Sequence, residues 1–155
     1  MEPTDRLALT VLTARYAQAV DRRDATALAA LFTPDAELVL PPVLNGTDAM
    51  SVLTGREALV SAVIDAVSRY RATRHVVEQQ VLETISRDRA RGETYCTAHH
   101  IHRRGDEYRD RRVALRYRDD FARTADAWLF SRRELVVDFT EHVPVTVPAA
   151  HDPEV

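Results

Sequence analysis

The chain has 155 residues, enough to bury one core of ordinary size without staples. Its 21 basic and 24 acidic residues leave a net charge of −3, which gives no electrostatic footprint for nucleic acid and suits a neutral or apolar small-molecule partner. A single cysteine, Cys96, excludes an internal disulfide, and the lack of a charged-then-apolar leader or an apolar run of about 20 residues predicts a soluble, cytoplasmic protein with no membrane partner.

The first predicted element is a helix from Thr4 to Val20, with Leu9, Leu12, Tyr16, Ala19 and Val20 on one apolar face. Leu7, Val11, Ala14 and Ala17 extend the apolar surface round the other side, so the helix is expected to be buried. Asp21 falls at its C-terminal end, where a carboxylate meets the negative end of the helix dipole and needs a compensating partner. Asp24 reads as the N-cap of a second, short helix that turns Ala27, Leu28, Leu31 and Phe32 inward and ends at Pro34. A strand follows over Ala36 to Leu40.

From Pro41 to Thr54 periodicity is lost. This long loop carries Val43, Leu44, Met50, Val52 and Leu53, and reads equally as a lid or as a surface loop pinned to the core. After Gly55 a third helix runs to Tyr70, with Leu59, Val60, Val63, Ile64 and Val67 spaced to pack on a sheet. The segments 74–86, 90–103, 111–123 and 127–140 are strand-like, separated by polar turns at Ser86 to Asp88, Gly105 to Glu107 and Thr124 to Asp126. Helices first and sequential strands second predict an α+β fold with helices covering one face of a curved, mostly antiparallel sheet. The folded domain is assigned to residues 1–142 and an extended Pro-containing tail to 143–155.

Every basic residue is arginine, so covalent chemistry on a lysine is excluded and other groups must act. His75 stands at the head of the first long strand, directly after the third helix. Alternation along the second long strand places Cys96, Ala98, His100 and His102 on one face and turns His99 to the other. Tyr117, Asp119 and Phe121 share one strand face and Arg118, Asp120 and Ala122 the other; bulges in a bent sheet leave open which set faces inward.

Several segments together resemble the SnoaL-like branch of the nuclear transport factor 2-like superfamily, which contains polyketide cyclases, scytalone dehydratase and bile-acid dehydratase. They are Ala14, Arg15, Tyr16 and Ala17 through to Val20 and Asp21; Leu28 through Ala36; Thr73, Arg74 and His75; and Arg116 through Asp119 with Trp128, Arg132 and Arg133. The resemblance covers Thr4 to Phe139 and implies a cone-shaped α+β barrel in which three helices fill one side of a strongly bent sheet.

It also implies a pairing of Asp21 with His75, in which the carboxylate fixes the ring tautomer and makes the other nitrogen a general base. Periodicity alone does not supply that pairing, because on an ideal helix Asp21 lies about 140° from Tyr16, so the helix must end or turn there. The competing reading of Asp21 is a bond to Arg22, Arg23 or a backbone amide. Tyr16 and His100 are implied to polarise or position a substrate oxygen, and His102, Tyr117, Arg133 and Leu53 are the candidate substrate contacts. Arg133 reads equally as the ion-pair partner of Asp119, and Tyr16 equally as core. Three imidazoles, His75, His100 and His102, would suffice for zinc, but the branch generally works without metal and a carboxylate already accounts for His75, so no cofactor is assigned. The expected function is a cofactor-independent lyase or isomerase, of dehydratase or cyclase type, acting on a hydrophobic carbonyl compound. The alternative is a non-catalytic binding or dimerisation scaffold; with either, the resemblance implies a homodimer paired through the sheet.

Overall fold

The computed structural model describes residues 1–125 and 127–148. Asp126 of the third polar turn and the tail beyond Pro148, including Pro153, lie outside the described residues. Helix α1 (Pro3–Asp21) is followed by α2 (Ala25–Ala29), β1 (Phe32–Leu40), α3 (Pro42–Asn45), β2 (Ser51–Thr54) and α4 (Arg56–Ser68). The long strands β3 (Ala72–Ser86), β4 (Arg89–Arg104), β5 (Glu107–Arg123) and β6 (Trp128–Val145) complete the chain. The six strands form one open, mixed sheet in the order β2-β1-β6-β5-β4-β3. β1 lies parallel to β6, and every other pairing is antiparallel.

Register shifts at Val77/Gln80, Ala114/Leu115 and Asp120/Phe121 bend the long strands around the helices. The parity of β5 is settled by burial. Val113, Leu115, Tyr117, Asp119 and Phe121 point inward, and Arg116 and Arg118 point out. Gly92 lets Leu82 and Phe121 pack close over that inner face, because an added Cβ would stand 2.8 Å from Leu82 Cδ2 and 3.1 Å from Phe121 Cε2.

Four local expectations are corrected. The second helix ends at Ala29 rather than at Pro34, so that Phe32 opens β1, and β6 runs to Val145, so that residues 143–145 pair with β5 instead of starting the tail. Helix α1 buries one side only: Leu9, Leu12, Tyr16 and Val20 are in the core, but Leu7 and Val11 are exposed, since no described residue covers them. The stretch from Pro41 to Thr54 is not a featureless loop. Asn45 organises it, its amide donating to the carbonyls of Leu40 and Ala49 and to the Ser51 hydroxyl while its oxygen accepts from the Thr47 N–H and O–H. Gly46 takes the left-handed conformation that closes α3, at φ 73°. Asp24 caps α2 through its carboxylate on the Ala27 N–H at 2.9 Å, as its sequence predicts. Among the described residues no helix is long and apolar enough to cross a membrane.

Candidate active site

Helix α1 ends at Asp21. Arg22 closes it, and Arg23 turns the chain away at φ 54°, a left-handed conformation unusual for a residue with a Cβ. Arg23 has a compensating task, donating to the carbonyls of Val67 (3.3 Å) and Tyr70 (2.6 Å) and so supplying a cation to the C-terminal end of α4. The abrupt end of α1 leaves the Asp21 side chain free to reach β3.

There it meets three donors. The His75 ring Nδ1–H and the Thr73 hydroxyl donate to Oδ1, at 2.7 and 3.0 Å, and the His75 backbone N–H donates to Oδ2 at 2.9 Å. Residues 73 and 75 are two apart on one strand and so face the helix together. Partial burial pushes the Asp21 carboxyl up, but the His75 and Thr73 bonds outweigh it and hold the carboxyl below its ordinary range. The arrangement fixes the His75 ring and leaves Nε2 on the side of the cavity that His75 lines.

That cavity, of about 150 Å³, opens between α4, α3 and the inner face of the sheet. Its walls are largely aliphatic, from Val20, Leu38, Val63, Val67, Val113 and Leu135, and it is also lined by Tyr16, His100, Tyr117 and Tyr70. The His100 and His75 rings stand edge to face at 5.8 Å, and Tyr70 packs on His100 at 4.7 Å. His100 Nδ1–H donates to the Arg111 carbonyl at 3.1 Å, so Nε2 is an acceptor.

Burial, reinforced by His75, lowers the His100 pKa to about 4, so this imidazole is neutral. The consequence for stability has a definite sign. Between pH 6.5 and about 4 the unfolded chain takes up a proton that folded His100 refuses, so stability falls with falling pH across that window, by about 3 kcal/mol in all. Urea titrations at pH 7 and pH 4.5 are expected to show most of that loss in wild type and a markedly smaller one in His100→Gln. An equal loss in both would mean that other groups carry it.

Beneath the cavity floor lies a fully buried ion pair. Arg133 donates through Nε and Nη2 to the two oxygens of Asp119, at 2.7 and 2.8 Å. Its guanidinium stacks 4.0 Å over the rings of both Tyr16 and Tyr117 and 4.1 Å over Phe130, while Nη1 finds no hydrogen-bond partner. Burial raises the Asp119 carboxyl and the guanidinium pulls it back; with two short N–H donors the charged pair is the state that the geometry supports. Burial also raises both tyrosines, opposed at Tyr16 by Arg133, so each phenol stays protonated. Tyr117 spends its hydroxyl on Cys96 Sγ at 3.6 Å. Burial lifts the Cys96 thiol to about 11, leaving it a poor nucleophile.

The structure therefore brings Asp21, His75, Tyr16, His100 and Tyr117 to one cavity or its immediate support. Three other candidates stand apart from the lining. Arg133 is occupied by Asp119 under the floor, His102 lies beyond His100 towards the rim, and Leu53 sits on β2 opposite Leu38, packed on the core. His99 turns to the outer face, where its ring bonds Asp110 at 2.7 Å. Among the described residues no three His, Cys, Asp or Glu side chains converge as a metal-ligand set. Sequence reasoning missed Thr73 as a partner of Asp21, although its i, i+2 spacing to His75 was the available signal. It also missed Tyr70 and Arg111 in the lining, because their placement depends on the path of α4 and the register of β5.

An open, bent sheet wrapped round helices and a buried apolar cavity is the cone architecture of the nuclear transport factor 2-like superfamily. Within it, the chain belongs to the SnoaL-like domain family, whose model matches residues 1–134. No curated protein matches the chain by sequence. A crystal structure from Kribbella flavida is 25% identical, with TM-score 0.78 over 89% of this chain and 93% of that one. A scytalone dehydratase-like protein from Novosphingobium aromaticivorans is 25% identical, with TM-score 0.74 over 94% and 91%. The hexachlorocyclohexane dehydrochlorinase LinA-type3 from Novosphingobium barchaimii, at 20% identity and TM-score 0.75 over 94% and 95%, shares the fold.

Proposed function

We propose that the chain is a cofactor-independent lyase or isomerase that abstracts a proton next to a carbonyl in a hydrophobic small molecule. The observation that carries this reading is the 2.7 Å bond from His75 Nδ1 to Asp21, with the rest of the imidazole turned to an apolar cavity. Likeness to the scytalone dehydratase-like protein supports elimination as the reaction type.

In this mechanism neutral His75 Nε2 takes the proton α to the carbonyl, and Asp21 stabilises the imidazolium that forms. The carbonyl oxygen gains the electron pair as an enolate and is stabilised by the protonated Tyr16 hydroxyl. His100, neutral and with Nε2 as acceptor, positions a substrate hydroxyl. When the enolate collapses, the bond to a β-hydroxyl breaks, and the proton held by His75 leaves with it as water. The products are the unsaturated carbonyl compound and water, and His75 returns to neutral. In an isomerase the same proton would return to carbon.

The test is C–H to C–D exchange in heavy water, followed by proton NMR over a panel of cyclic ketones and β-hydroxy ketones. The expected result is exchange next to the carbonyl by wild type, absent in His75→Ala. A ketone that shifts the Tyr16 and His100 resonances, and so occupies the cavity, yet exchanges no proton would overturn the reading in favour of a binding pocket without turnover.

A further inference from the structure

The inward-facing residues of β4 and β5 change character in a definite order. From floor to mouth the cross-strand pairs are Cys96 with Leu115, Ala98 with Val113, His100 with Arg111, and His102 with Arg109. His75 stands in the Ala98 row. Rows on one face repeat at about 6.8 Å, so the first cation appears roughly 7 Å closer to the mouth than the general base.

Two arginines, Arg69 and Arg111, line the cavity, and no carboxylate does. Arg91, Arg112, Arg116, Arg118, Arg123, Arg132 and Arg133 all pair with carboxylates. Neither Arg69 nor Arg111 has a carboxylate partner among the described residues, a lack common among the arginines of this chain; what sets the two apart is that they line the cavity. Each makes one side-chain hydrogen bond, Arg69 Nε to the Ala66 carbonyl at 2.9 Å and Arg111 Nη2 to the Val43 carbonyl of α3 at 3.3 Å.

The nearby acids are otherwise placed. Glu107 faces Arg109 at 3.8 Å, Asp110 is engaged by His99 and Arg112 on the outer face, and Asp65, one turn before Arg69 on α4, is exposed. Two guanidinium groups with most of their N–H donors unengaged, at the mouth of an otherwise aliphatic cavity, form a receptor for one anionic group.

Resting on the function proposed above, we infer that the substrate is a single-ring ketone carrying a carboxylate about 7 Å from the carbon that His75 deprotonates. The ring fills the cavity, whose volume of about 150 Å³ suits a body of that size, and the carboxylate bridges Arg69 and Arg111 at the mouth. Because Arg111 also holds the Val43 carbonyl, the anion sits beside α3.

The probes are 3-(4-oxocyclohexyl)propanoate and its neutral amide, with affinities from NMR titration of the full chain. The acid is expected to bind wild type about tenfold more tightly than the amide, a preference that shrinks as salt is raised. In Arg69→Gln/Arg111→Gln the preference falls to near unity, and in Arg111→Lys, which keeps the charge, most of it remains. Equal binding of acid and amide by wild type, or an undiminished preference in the double glutamine variant, would overturn the inference. Deuterium exchange read on the same samples separates the two claims. Exchange on both probes without charge preference sinks only the carboxylate, whereas charge preference without exchange sinks only the proposed chemistry.

Discussion

Arg133→Met is expected to lower the free energy of unfolding by about 3–5 kcal/mol, because it leaves the Asp119 carboxylate buried with no countercharge. Both side chains of this pair are wholly inaccessible, so solvent cannot relieve the orphaned charge. Asp119→Ala should cost about as much for the mirror reason, with the guanidinium held only by ring faces. The double variant Asp119→Leu/Arg133→Met is expected to recover a large part of the loss, since an apolar pair of similar volume removes both charges together. Urea unfolding of the three variants is the measurement. Single-variant losses below about 1 kcal/mol would show that water reaches the pair. The effect also reaches the site, because Arg133 stacks on Tyr16 and Tyr117, and both tyrosines line the cavity.

That pair illustrates where sequence reasoning reached and where it stopped. Hydrophobic periodicity located α1, α4 and the four long strands to within about five residues, because each buries one continuous face, but it ran α2 on to Pro34, where the chain is already in β1. It overstated the burial of α1, since Leu7 and Val11 are apolar enough for a core position but lie on the side that no element covers. Neither the inward parity of β5 nor the Asp119–Arg133 pairing was decided by spacing. Both depend on bulges, and a bulge leaves no dependable mark in a strand pattern. Asp21 stands out in the sequence because a carboxylate at a helix C-terminus needs a partner and because the SnoaL-like resemblance implies its pairing with His75. The partner is tertiary: the chain stops being helical at that residue and β3 presents three donors to it. The stretch from 41 to 54 was unreadable because Asn45 side-chain bonds, rather than a hydrophobic period, give it order.

The second large effect follows from the proposed proton abstraction by His75. Asp21→Asn is expected to reduce the rate of exchange or elimination by about 10²–10⁴, the range that general acid–base catalysis supplies. The carboxylate accepts from the His75 ring, the His75 backbone N–H and the Thr73 hydroxyl at once. An amide has one acceptor oxygen and presents an N–H on its other side, so it cannot satisfy all three donors or stabilise an imidazolium by charge. Thr73→Val removes one neutral donor and should cost a much smaller factor, of about 3–10, corresponding to a single ordinary hydrogen bond. Stability separates this account from simple misfolding. The Asp21 carboxyl is held below its ordinary range in the fold, so its contribution is complete above pH 3.8 and fades only as pH falls through that value towards the lowered one. At neutral pH Asp21→Asn forfeits that contribution in full, so a rate loss is read as an effect on the site only where circular dichroism shows the variant folded. A folded Asp21→Asn variant that turns over at the wild-type rate would remove the carboxylate from the mechanism and leave His75 acting alone.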